Sequence, residues 1–334
     1  MPVKIDTVIK MMNQYFNEST AESWDNTGLV CGDINAEVTN VITCVDITKD
    51  VLTTAQTQGA NLIIAHHPLA MKPFLPITPY TAKGSLIWQA VKHDIALYCA
   101  HTNVDIAEKG LCYQGARKLG LTNIVSYGTD RTYKKLILTY PGTLEEEVHD
   151  LLEEFGALSP VTVAYGDKNR TEATIAEERC NNLANRLHRL AVDINIYTLD
   201  NARSDLFSFA LGDITPSDAE TFVERVKDIF DLKTVHIGGN LNKQIRKVAF
   251  CSGAGKSFLP QVIRSGADAY VTGDIGHHDF QTAYEAGILL VDATHYGTEK
   301  PFSTMIKQLL IDEIPELNER VFSLCQNDYF STYK

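Results

Sequence analysis

Apolar positions alternate along this chain between helical and strand spacing. The opening stretch MPVKIDTVIKMMNQYF puts Val8, Met12, Tyr15 and Phe16 on one helical face. Residues 38–67, VTNVITCVDITKDVLTTAQTQGANLIIAHH, read as a β-branched strand, an amphipathic segment of helix length, a Gly-Ala turn and a second apolar strand. That is one βαβ unit. Residues 245–274, IRKVAFCSGAGKSFLPQVIRSGADAYVTGD, repeat it without a gap: Val41 falls on Val248, Cys44 on Cys251, Gly59 on Gly266 and Ala60 on Ala267. A second agreement follows each copy. DIALYCAHTNVD (94–105) and GILLVDATHYGTE (287–299) each run from an apolar strand into a histidine, then three residues, then a carboxylate. The pattern predicts an α/β fold of two pseudo-repeated βαβ-containing halves.

Between the copies the character changes. KKLILTY, VTVAYG and INIYTL have strand patterns, and they are interleaved with the helix LEEEVHDLLEEFG and a second helix contained in TEATIAEERCNNLANRLHRL. LFSFALGD and the helix PSDAETFVERVKDIF follow. Such alternation within about a hundred residues suggests a small inserted ferredoxin-like α+β domain. The expected organisation is therefore 1–126 and 235–334 as the two halves of one α/β domain, with 127–234 as the insert.

Composition narrows the field. With 334 residues, 44% of them hydrophobic, the chain can bury a large core. A net charge of −12, with no run of Lys or Arg, argues against a nucleic-acid partner, because phosphate binding needs a basic face. The seven cysteines include no Cys-x-x-Cys pair, and most sit in apolar runs such as VITCVDI and ALYCAH, as small buried hydrophobes do. No apolar run approaches the ~18 residues a membrane span requires. The expectation is a soluble, cytoplasmic protein without a membrane partner.

Chemistry is concentrated where strands end. His66 and His67 follow the apolar strand 62–65, His101 precedes Asp105 by four residues, and His295 precedes Glu299 by four. In open α/β sheets the carboxyl ends of strands form the ligand-binding rim. Imidazoles and carboxylates clustered there suit a borderline divalent metal such as zinc, iron, manganese or nickel. One carboxylate can also bridge two such ions held ~3.5–4 Å apart.

Five motifs, SWDNTGLVCGD (23–33), IIAHHP, AHTNVD, GADAYVTGDIGHHD and DATHYGTEKP, occur here in the order found in the NIF-three-like family, which the chain resembles over 1–126 and 235–334. Members of that family are catalogued as GTP cyclohydrolase 1 type 2 homologs, or as dinuclear-metal-centre hexameric proteins. The resemblance implies two divalent metal ions per chain, held by His66, His67, Asp105, His295 and Glu299, with Glu299 as the bridge. It leaves His101 outside the ligand set, as a group that orients Asp105. It also implies a ring-like homohexamer and an insert similar to PII or CutA trimeric modules, although this insert departs from their usual glycine- and tyrosine-rich pattern. The cyclohydrolase label implies a metal-dependent hydrolase acting on a nucleotide or related small molecule. The alternative is a non-catalytic metal-dependent scaffold, metallochaperone or regulatory protein. Five ligands are too few to fill the shells of two ions, which favours open positions and therefore chemistry.

Two further motifs look less chemical. GAGKS (253–257) lacks the earlier glycine of a nucleotide-binding phosphate loop, since Phe250 stands there, and reads as a strand-to-helix turn. His277 and His278 of GHHD read as a helix start outside the metal ligands. Asp25 and Asn26 carry turn chemistry before Gly28.

Overall fold

Short runs free of charged residues form the central strands. Val41–Cys44, Leu62–Ala65 and Ala96–Cys99 are buried at every residue, as parallel strands must be when helices cover both faces. The computed structural model describes residues 2–22, 24–70, 76–127, 132–199, 207–326 and 328–329. Ser23 of the first motif lies outside them. The strands, in chain order, are β1 (Gly28–Cys31), β2 (Val41–Cys44), β3 (Leu62–Ala65), β4 (Ala96–Cys99) and β5 (Thr122–Tyr127), then β6 (Tyr133–Pro141), β7 (Leu158–Tyr165), β8 (Lys168–Ala176) and β9 (Asp193–Thr198). They continue with β10 (Phe209–Asp218), β11 (His236–Gly239), β12 (Gln244–Ala254), β13 (Ala269–Gly273), β14 (Leu289–Asp292) and β15 (Val321–Ser323).

These strands make three sheets in a mixed α/β fold. The first has the order β1-β4-β3-β2-β15. All its pairings are parallel except β1 with β4. The second has the order β11-β14-β13-β12-β10-β5. Its centre, β12-β13-β14, is parallel, and its flanking strands are antiparallel. The third, β7-β8-β6-β9, is wholly antiparallel. Strand β10 and the helix Ala219–Ile229 follow the small sheet in sequence, yet β10 pairs within the second sheet and the helix packs on it. The sequence pattern alone groups them with 127–234. Their apolar residues Phe209, Phe222 and Phe230 fill the core of the second sheet instead.

Two cores sandwich the first sheet. On one face lie Val8, Met12 and Phe16 of the amino-terminal helix region, with Phe302 and Ile306. On the other lie Val51, Leu52, Leu86 and Ile87. Cys44, Cys99, Cys112, Cys180 and Cys251 are buried free thiols. No helix among the described residues is long and apolar enough to cross a membrane.

Candidate metal centre

The carboxyl ends of β3 and β4 in the first sheet meet those of β12, β13 and β14 in the second. His66 and His67 leave β3 with their backbone N–H groups still donating to Cys44 O and Val45 O, so the ladder continues into the site. His101 stands immediately before the short helix Thr102–Ile106, which carries Asp105. His295 and Glu299 begin and end the short helix His295–Glu299. That helix is entered through Thr294, whose φ of 60° is unusual for a β-branched residue. The strain is held by local bonds: Thr294 N donates to Asp292, and Thr294 Oγ1 accepts from Gly297 N at 2.9 Å.

Each imidazole is fixed through Nδ1. His66 Nδ1 donates to Ala100 O at 2.9 Å, His67 to Asp46 at 2.9 Å, His101 to Asp25 at 2.8 Å and His295 to Asp274 at 2.8 Å. Carbonyls and carboxylates only accept, so Nδ1 carries the proton, and a neutral ring keeps its lone pair on Nε2. This outer arrangement is the usual device for orienting a metal-binding histidine.

The Nε2 atoms converge on Glu299, which is 2% exposed. Its Oε1 lies 3.4 Å from His66 Nε2 and 3.1 Å from His295 Nε2, while its Oε2 lies 2.9 Å from His67 Nε2. Asp105 Oδ2 is 3.7 Å from His66 Nε2. Among the described residues, three groups could hold a metal ion: His66 with Asp105 and Glu299, His67 with His295 and Glu299, and His66 with His67 and His101. All five residues of the sequence-derived ligand set thus come together, and the first two groups share Glu299. His277 and His278 are exposed at the start of the helix His277–Ala286, and neither belongs to any of these groups.

The donor set fits a cation. His66 Nε2 and Glu299 Oε2 are buried without a hydrogen-bond partner. Oε2 is close to His67 Nε2 but outside hydrogen-bonding geometry. A buried polar atom left in that condition costs ~1–3 kcal/mol, and a cation would satisfy both. Protonation behaviour points the same way. Burial lowers the affinity of His67 for a proton, but the hydrogen bond to Asp46 and the adjacent Glu299 carboxylate outweigh it and raise the pKa to about 10. His295 is likewise disfavoured by burial, yet Glu299 and Asp274 push it up to about 9. Burial would raise Glu299, and the close imidazoles of His66, His295 and His67 hold it well below the carboxylate range instead. Negative charge gathered here is balanced by whatever positive charge the imidazoles face, proton or metal.

Several contributors carry no sequence motif of their own. Asp46 and Asp274 lie just past β2 and β13; Asp46 is marked only by its strand-end position, whereas Asp274 falls inside the motif GADAYVTGDIGHHD without being singled out there. Asp25 is more than a turn residue: it also accepts from the backbone N–H and hydroxyl of Thr102. Ser252, not His101, holds the Asp105 side chain, through a hydrogen bond from its Oγ to Oδ1 at 2.6 Å. The Nδ1 of His101 is committed to Asp25, so that ring nitrogen is not free for Asp105.

Gly253 has a φ of 59°, and a Cβ built on it would lie 2.3 Å from Glu299 Oε1. The glycine of GAGKS is therefore a close-approach residue of the site. The motif itself is a strand-to-turn-to-helix passage: β12 ends at Ala254, and the helix Leu259–Arg264 follows a short 3-10 turn.

Comparison with known proteins agrees with this geometry. The family described as Duf34/NIF3 (NGG1p interacting factor 3) matches residues 3–328. A protein of Halalkalibacterium halodurans named GTP cyclohydrolase 1 type 2 homolog is 30% identical over 340 residues, covering 91% of each chain. A Staphylococcus aureus protein of the same name is 29% identical, covering 93% of each. Among solved structures, a Bacillus cereus protein related to NIF3 superposes with a TM-score of 0.73 at 28% identity, covering 100% of this chain and 99% of that one.

Proposed function

The chain belongs to the Duf34/NIF3 family, and from that premise we propose that it is a metal-dependent hydrolase with a dinuclear centre. In this reading His66, His67, Asp105, His295 and Glu299 hold two divalent cations, and Glu299 bridges them. The observation that carries it is the pair of donor triads sharing one buried carboxylate. When bound, such ions make water a nucleophile at neutral pH and polarise the bond under attack. The protein's own contribution is positional. Asp46 and Asp274 hold His67 and His295 in the tautomer that presents Nε2, and Ser252 fixes the rotamer of Asp105. The relatives' name supports a nucleotide or related small molecule as substrate.

The same reading extends to architecture. The strand order β7-β8-β6-β9, with a helix between β6 and β7 and another between β8 and β9, supports an inserted ferredoxin-like domain within 127–234, centred on those four strands. The parallel cores β2-β3-β4 and β12-β13-β14 support two pseudo-repeated halves in 1–126 and 235–334. A ring-like homohexamer completes the proposal, and light scattering that reports a stable monomer at micromolar concentration would contradict it.

Elemental analysis after reloading with zinc tests the centre, with about two equivalents per chain expected. Saturation at one equivalent or none would sink the dinuclear reading. The loaded protein is then screened against nucleotides, phosphoesters and peptides beside Asp105→Ala. Full metal uptake with no turnover on any of them would replace the hydrolase with a metal-dependent scaffold.

A further inference from the structure

The cage forms one wall of a cavity of about 780 Å3, within the range of small-molecule sites. The remaining walls differ in kind. Leu69 and Leu86 contribute from the side of the first sheet, and Phe207 and Phe258 from the side of the second. Trp24 lines the same space and is 54% exposed, with its ring edge-on to His101 at 6.1 Å between centroids. Its place is set by its neighbour: the Asp25 side chain is bonded to His101 and Thr102, which pins the backbone carrying Trp24. The exposed indole presents an apolar aromatic surface beside the polar cage, against which a flat ring can pack.

Charge limits what that ligand can be. Among the described lining residues, Lys83 is the one side chain of permanent positive charge, whereas Glu22, Asp46, Asp105 and Glu299 are acids. A cation pair in the cage could take one anionic group. A longer chain of phosphates would run on against carboxylates and apolar side chains.

We propose that the cavity selects a planar, weakly charged ring that carries its metal-binding oxygens at one end, the ring lying among Trp24, Leu69, Leu86 and Phe258 and the oxygens facing the cage. This inference rests on the metal reading above and narrows its substrate class. Covering about 60 Å2 of ring surface on such a wall is worth about tenfold in Kd.

Calorimetric titration of the zinc-loaded full chain with benzohydroxamate and acetohydroxamate tests it, because both chelate through the same two oxygens and differ in a ring against a methyl group. The aromatic compound should bind at least about tenfold more tightly. Trp24→Ala, a change at an exposed side chain, should reduce that advantage while leaving acetohydroxamate within about twofold of its wild-type affinity. Leu86→Ala serves as a second wall variant, checked for folding by its melting curve. Equal affinity for the two compounds, or a ratio that neither variant changes, overturns the inference while the cage stands. Affinities that do not depend on zinc for either compound overturn the metal reading, and this inference with it. With free zinc in excess, GTP should bind no more tightly than GMP; a clear preference for GTP would show that the cavity accepts the phosphate chain and overturn the charge argument.

Discussion

Gly253→Ala should damage the metal centre without touching a metal ligand. A methyl group there would lie 2.3 Å from Glu299 Oε1, where ordinary van der Waals contact begins at 3.4 Å, so one partner must give by about 1 Å. Glu299 has little room to do so. Its carboxylate is buried, and three imidazoles converge on it. Backbone relief is no easier, because Gly253 N donates to Thr298 Oγ1 at 2.9 Å and its φ of 59° already costs an L-residue about 1 kcal/mol or more. The expected result is a loss of about 1–3 kcal/mol of stability and, through displacement of the shared carboxylate, a loss of metal affinity of about 10–100-fold. Competition against a chromophoric chelator measures the affinity, and thermal melts of the zinc-free protein isolate the stability term. If Gly253→Ala binds two ions as tightly as the wild type, then Glu299 does not bridge from the position seen here, and the close approach is incidental.

Three other outcomes follow from the same geometry. Glu299→Gln should lose more metal than His67→Ala, because a neutral amide no longer offsets repulsion between two dications, whereas a lost imidazole can be replaced by water. His278→Ala should keep wild-type stoichiometry; if it loses metal while Glu299→Gln retains both ions, the exposed histidine pair is the true cage. For Asp25, burial opposes ionisation, but bonds from His101, Thr102 and Asn26 lower its pKa to about 2. A depressed carboxyl stabilises the fold above its unfolded pKa of ~3.9 and loses that contribution as pH falls through about 2. Discounted for partial solvent screening, the contribution is about 1–2 kcal/mol, so Asp25→Asn should melt lower at pH 7 and converge on the wild type by pH 2. Equal melting temperatures at pH 7 would refute the assignment.

Much of the site is legible in the sequence because its donors sit at fixed offsets from strands that can be recognised. His66 and His67 end an unbroken apolar run, and His295 and Glu299 are one helical turn apart on five residues of helix. The supporting shell is less visible. Asp46 stands outside the motifs, and Asp274 and Asp25 stand inside them without a visible role; what reveals all three is a partner 21, 21 or 76 residues away. Ser252 is legible only in space, since its partner Asp105 is 147 residues distant. The grouping of β10 and the helix Ala219–Ile229 is hidden for a similar reason. Periodicity reports which face of an element is apolar, not which of two neighbouring sheets that face will cover.

The two triads that share Glu299 each combine residues from both ends of the chain, as in His67 and His295, 228 positions apart. A ribosome would expose His66, His67 and Asp105 long before Glu299 is made. The early segment alone offers imidazoles and one acid, without the carboxylate common to both triads. If the two triads hold metal, loading would thereby be tied to completion of the second sheet, since a passing cation meets the full cage only on a chain already synthesised through residue 299. The late position of one glutamate would then act as a timing device, separating translation from metallation.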